Sequence, residues 1–157
     1  MRPTAVCFVC LGNICRSPTA EAVFRTVVDE AGLNDVIHIE SAGTSDWHVG
    51  GDADRRTVAA ATARGIAMSH RAQQFTVRDF ARFDHVIAMD DDNVAALRTI
   101  APTPADAAKI RLLRSFDPDS PDGAVVPDPY YGGPKGFDEV IDMCEAACRG
   151  LLDELRE

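Results

Sequence analysis

Cys10 is followed six positions later by Arg16, within the stretch Val9-Cys10-Leu11-Gly12-Asn13-Ile14-Cys15-Arg16-Ser17-Pro18. That pairing suits nucleophilic chemistry on an anion. A thiolate is a strong nucleophile, and a guanidinium fork bonds two phosphate oxygens at once. Of the five cysteines, Cys10 alone has an arginine at this spacing. Gly12 and Asn13 are the residues best able to take left-handed backbone angles. A turn of that kind aims successive backbone N–H groups, here those of Leu11, Gly12, Asn13, Ile14, Cys15, Arg16 and Ser17, into one concavity. A helix starting just after it adds free N–H groups and its positive dipole end. The field that attracts a phosphate dianion also favours thiolate over thiol at Cys10. Ser17 is placed to donate its hydroxyl to that thiolate.

Other phosphate and metal chemistries find no support. No Gly-Lys-Ser/Thr follows the loop, and no Gly-x-Gly-x-x-Gly occurs. There is no Cys-x-x-Cys, and His38, His48, His70 and His85 stand at no zinc-ligand spacing. No metal is expected. Asp90, Asp91 and Asp92 follow a strand and read as a helix N-terminus rather than a metal site.

Positioning Cys10 at the base of such a cradle requires a strand before it and a helix after it. The continuous apolar run Ala5–Val9 predicts a strand covered on both faces. Ser17-Pro18 reads as an N-cap and first helical residue, opening a helix that runs to Gly32. Val36–Ile39 predicts a second strand, Asp54–Arg64 a second helix, and Thr76–Asp79 a capping box opening a short third one. His85–Met89 and Ile110–Leu113 predict further strands, separated by a helix from Asp92 to Ile100. A stripe at helical spacing from Phe137 to Leu155 predicts the last helix and places Cys144 and Cys148 in the core, as Cys7 is in its strand. Alternating strands and helices imply one α/β domain over residues 1–157: a four-stranded, parallel, doubly wound sheet with helices on both faces. Asp117 to Gly136 breaks the pattern. It holds five of the nine prolines and four of the eleven glycines, the composition of a functional or disordered loop.

Composition narrows the partners. The 157 residues carry 16 basic and 25 acidic side chains, a net charge of −9, which disfavours nucleic acid and anionic membrane. No apolar run reaches membrane-spanning length, and the first one is too short for a signal-peptide core. An odd cysteine count without a disulfide spacing predicts a reducing, cytoplasmic setting. Nothing demands more than a monomer.

The stretch at residues 9–18 resembles the low-molecular-weight protein tyrosine phosphatases. The resemblance continues through Ser41-Ala42-Gly43-Thr44, Trp47-His48, Ser69-His70-Arg71, Ala88-Met89-Asp90 and Asp128-Pro129-Tyr130-Tyr131-Gly132. It covers nearly the whole chain, in the family's order. It implies that Cys10 is the nucleophile that becomes phosphorylated and Arg16 the clamp on the phosphoryl oxygens. Asn13 takes a left-handed conformation supported by Ser41 and His70. Spacing alone leaves Asp117, Asp119, Asp122 and Asp128 as candidate acids; the family motif and adjacent tyrosines select Asp128. Trp47, Tyr130 and Tyr131 would wall the phosphotyrosine ring. The implied reaction uses no cofactor, and its partner is a phosphotyrosine protein or peptide. The family also carries a second loop cysteine, here Cys15, which implies a reversible disulfide with Cys10.

Two rival functions remain. Arsenate reductases on this fold resemble the loop but relay electrons through further mid-chain cysteines, and none lies between Cys15 and Cys144. A non-catalytic phosphopeptide-binding module would need Arg16 and the cradle, but neither Cys10 nor an acid.

Overall fold

The apolar run at residues 5–9 lies within strand β1 (Thr4–Cys10) of a computed structural model that describes residues 2–157. Every β1 residue after Thr4 is buried, as a strand covered on both faces requires. Its side chains alternate: Val6, Phe8 and Cys10 join one core, Ala5, Cys7 and Val9 the other. The chain continues through α1 (Arg16–Glu30), β2 (Ile37–Gly43), α2 (Arg55–Ala63), α3 (Asp79–Arg82), β3 (His85–Ala88), α4 (Asp91–Ile100), α5 (Pro104–Ala107) and β4 (Ile110–Leu112). A 3-10 turn (Leu113–Phe116) and α6 (Pro134–Leu155) complete it.

The strands form one parallel sheet in the order β2-β1-β3-β4. The Phe8 face is covered by α1 and α6, through Phe24, Val28, Ile141, Cys144, Cys148 and Leu151. Phe8 and Phe24 meet edge to face with centroids 5.6 Å apart, a favoured aromatic geometry. The Cys7 face is covered by Phe75, Phe80, Phe83 and Leu97, from α3, α4 and their flanking segments. This is the doubly wound α/β architecture expected. Its strand order reverses between β1 and β3, so the ligand crevice opens beyond the carboxyl ends of those two strands. Cys10 ends β1, and Asp90 lies just past β3.

Several elements differ from the sequence reading. Helix α1 starts at Arg16, with Cys15 at the N-cap and no capping side chain. Ser17 does not cap it, because its hydroxyl is engaged by Cys10 and Asn13. Pro18 is still tolerated there, since first-turn N–H groups have no intrahelical acceptor. The helix ends as anticipated. Gly32 takes φ +71, its N–H bonds Asp29 O, and Leu33 N–H bonds Val28 O, a Schellman closure.

Strand β2 extends to Gly43 rather than Ile39, because its last three residues pair with Phe8, Val9 and Cys10. Asp79 accepts from the Thr76 N–H at 2.8 Å, but α3 opens only at Asp79 itself. Helix α4 begins one residue early at Asp91, capped by Asp90. Helix α5 and the 3-10 turn are additional to the expected elements. Helix α6 starts at Pro134, where proline suits the first turn, so the irregular loop runs from Asp117 to Gly133. Gly150 is required where α6 crosses the 3-10 turn: a Cβ there would lie 1.8 Å from Phe116 O. No helix among the described residues is long and apolar enough to cross a membrane.

Candidate active site

Residues 11–15 turn between the buried end of β1 and the start of α1. Asn13 is the one non-glycine residue with positive φ among the described residues, at 56°, and it is fully buried. Its side chain compensates the strain. Asn13 Nδ2 donates to Ser17 Oγ at 2.8 Å and to Ser41 Oγ at 3.0 Å, and Oδ1 accepts from the Gln73 N–H at 2.9 Å. His70 Nε2 donates to Asn13 O at 2.7 Å, which requires its proton on that nitrogen. Ser41 and His70 thus both hydrogen-bond Asn13. Ser41 in turn donates to Glu21 Oε1 at 2.6 Å, and Arg25 steadies Glu21 from the next turn at 2.8 Å.

Gly12 does not share the left-handed backbone expected of it. Its lack of a side chain serves close approach instead, since a Cβ would meet His48 Cδ2 at 3.0 Å. Gly43 plays a similar part beneath the loop, where a Cβ would lie 2.7 Å from Leu11 O. Thr44 N–H and Ser45 N–H then bond the carbonyls of Cys10 and Leu11 at 2.8 and 3.0 Å. The backbone N–H groups of residues 12–17 find no acceptor among the described residues, leaving a row of donors at the head of α1.

Cys10 is buried, with Sγ 2.9 Å from Ser17 Oγ. Arg16 is also buried, and it is held on several sides. Its Nη1 donates to Asp90 Oδ2 at 2.5 Å and to Val126 O at 3.0 Å, and Nη2 lies 3.7 Å from Asp128. Burial opposes its charge, but Cys10, Asp90 and Asp128 outweigh that and raise its pKa above the ordinary arginine value. Asp90 serves two partners: its other oxygen accepts from the Asn93 N–H and caps α4. Asp128 is partly exposed and caps its own turn by accepting from the Tyr130 N–H at 3.0 Å. Cys10, Arg16 and Asp128 line one cleft of about 150 Å³, together with Trp47, Tyr130 and Tyr131.

Residues 5–157 match the family model of the low molecular weight phosphotyrosine protein phosphatases. The chain belongs to that family. It is 54% identical to a low molecular weight protein-tyrosine-phosphatase of Streptomyces coelicolor over 97% of this chain and 93% of that one. It is 42% identical to the low molecular weight phosphotyrosine protein phosphatase of Sus scrofa, covering 97% of this chain and 96% of that protein. Among solved structures, a protein tyrosine phosphatase from Entamoeba histolytica, with Hepes in its active site, superposes with TM-score 0.93. That pair shares 40% identity over 98% of this chain and 97% of the other.

Within this phosphatase scaffold the aromatic residues differ in how firmly they are held. Tyr130 is packed edge to face on Tyr131 at 5.0 Å and lies beneath the Arg56 guanidinium at 5.2 Å. Tyr131 is 91% exposed and Trp47 is 72% exposed, so both line the cleft at its open rim. His48, Asp90, Glu21, Gln73 and Gly43 were not assigned to the site by sequence reasoning. Glu21 carried a usable signal: Ser17, Glu21 and Arg25 follow at i, i+4 spacing and share one face of α1. Asp90 carried a misleading one, because its place before a helix already explained it.

The cysteines separate by environment. Burial pushes the Cys7, Cys144 and Cys148 thiols up, and Cys15 up to about 12. At pH 7 the thiolate fraction of Cys15 is then about 10⁻⁵. Because alkylation needs both thiolate and access, iodoacetate at neutral pH is expected to modify one cysteine per folded chain, Cys10 in the cleft. Peptide mass spectrometry checks this. Stoichiometric labelling of Cys15 below pH 9 would contradict the assigned environment.

Proposed function

We propose that this chain hydrolyses phosphotyrosine in proteins or peptides through a phosphocysteine at Cys10. The observation that carries the reading is the convergence on one cleft of Cys10 and Arg16, from the loop after β1, with Asp128, from a loop more than 100 residues further along. A phosphate seated over the head of α1 would meet the free backbone donors, with Arg16 at its side. Cys10 Sγ attacks phosphorus as the P–O bond to the aryl group breaks. Asp128 gives its proton to the departing phenolate oxygen. In the second step Asp128 takes a proton from water, the water oxygen attacks phosphorus, and the P–S bond breaks to restore the thiolate. Ser17 stabilises that thiolate with a hydroxyl hydrogen bond. Asp90 and Val126 O fix the Arg16 fork, so its orientation is set before substrate arrives.

Trp47, Tyr130 and Tyr131 supply apolar contact for an aromatic ring, which phosphoserine lacks. A phosphotyrosine peptide is expected to show kcat/KM at least about 100-fold above its phosphoserine counterpart, with chelator and reductant present. Equal rates on the two peptides would remove the aromatic pocket from the account.

Neither rival reading is favoured. The chain lacks the mid-chain cysteines that arsenate reduction uses, and a binding module would not need Asp128 beside Cys10. All five cysteines are free, which supports the reading of a reducing compartment. We also assign Cys15 as the partner of Cys10 in a protective disulfide. Peroxide-inactivated protein should regain activity with added thiol, whereas the Cys15→Ala variant should lose it irreversibly. Equal rescue of both would reject that assignment.

A further inference from the structure

We propose that Arg114 is a positioning residue for Asp128, holding the acid-bearing loop independently of the phosphate-binding loop. The inference rests on Asp128 being the general acid. Residues 117–133 have no regular secondary structure, so fasteners to the rest of the fold decide where Asp128 sits. Ser120 Oγ donates to Arg114 O at 2.9 Å and to Asp117 O at 3.1 Å near the start of the loop. Further along, Val126 is fully buried, and its N–H bonds Met89 O at 2.8 Å.

Two arginines then grip adjacent carbonyls. Arg114 Nη1 donates to Val125 O, and Arg16 Nη1 donates to Val126 O, both at 3.0 Å. Only Pro127 separates Val126 from Asp128, and prolines restrict that span. Pro127 has its φ locked near −65°, and Asp128, preceding Pro129, is confined to extended backbone. With so few free torsions, fixing the carbonyls at 125 and 126 fixes the Asp128 backbone. Arg16 is also the proposed phosphate clamp, so Arg114 is the guanidinium whose hold on the loop does not depend on that clamp. Its Nε is buried with no partner. The side chain is therefore retained at a desolvation cost, with its side-chain hydrogen bonding directed to the loop.

The test compares Arg114→Met with Asp128→Ala, using phenyl phosphate as a poor leaving group and 4-nitrophenyl phosphate as a good one. Removing the acid widens the ratio of kcat/KM between the two substrates. Arg114→Met should widen it at least about tenfold and flatten the limb of the pH profile set by the acid, and Arg114→Lys should restore part of both. The Arg114→Met/Asp128→Ala double variant should show no widening beyond Asp128→Ala, because both changes act through one group. Equal losses on both substrates in Arg114→Met, with normal widening in Asp128→Ala, would overturn the role of Arg114 and leave the acid intact. No widening in either variant would overturn the acid assignment itself, and this inference with it.

Discussion

Cys10→Ser is expected to lower turnover by on the order of 10⁶-fold, the scale on which removing a covalent nucleophile acts. A serine hydroxyl is protonated at neutral pH, and the cradle holds no base placed to activate it. The substitution changes one atom at a buried site, so the fold and the row of backbone donors at the head of α1 should survive. Phosphate should therefore still bind as a competitive anion, while burst formation of a phosphoenzyme disappears. The measurement is hydrolysis of an activated aryl phosphate at mildly acidic pH, with chelator and reductant, beside calorimetric binding of inorganic phosphate. Turnover in the variant within tenfold of the parent would defeat the phosphocysteine. Loss of phosphate binding along with turnover would mean that the sulfur supports the cradle structurally.

Asp128→Ala is expected to cost about 10²–10⁴-fold, concentrated on poor leaving groups. A phenolate that must be expelled unprotonated is sensitive to its own basicity, so the dependence of rate on leaving-group pKa should steepen. The proposed first step needs a proton on Asp128, so the part of the kcat/KM pH profile that comes from that proton should vanish in the variant. Asp128 already faces Arg16 Nη2 at 3.7 Å, so the carboxylate and the arginine share one electrostatic environment before substrate arrives. A uniform loss across leaving groups, with an unchanged pH profile, would exclude Asp128 as the acid.

The two predictions differ in how far the chain alone announced them. Cys10 and Arg16 belong to one continuous loop, and the apolar run before it and the proline after it marked the strand and helix that carry them. Asp128 was one of four aspartates in an irregular segment. Its selection needed the neighbouring tyrosines and a family resemblance, because no periodicity governs a loop. Ser17 shows how a local rule is overridden. Its place before proline reads as a helix cap, yet its hydroxyl is committed to Cys10 and Asn13, and the helix starts two residues earlier than that reading puts it, without a capping side chain.

The sequence by itself determined the layer architecture, the core stripe of α6, and the placing of Cys10 and Arg16 at the two ends of one short turn between a strand and a helix. These are short-range patterns, written by side-chain period and backbone sterics within a few residues. The tertiary structure decided which distant groups complete the site. Asp90 meets Arg16 across 74 positions, and Gln73 meets Asn13 across 60. Gly43 passes beneath the loop only because β2 pairs in register with β1, and Arg114 reaches Val125 only through the turn after β4. Strand order and register create these approaches. A lone aspartate, glutamate or glycine carries no local trace of them, since each has many ordinary uses along a chain.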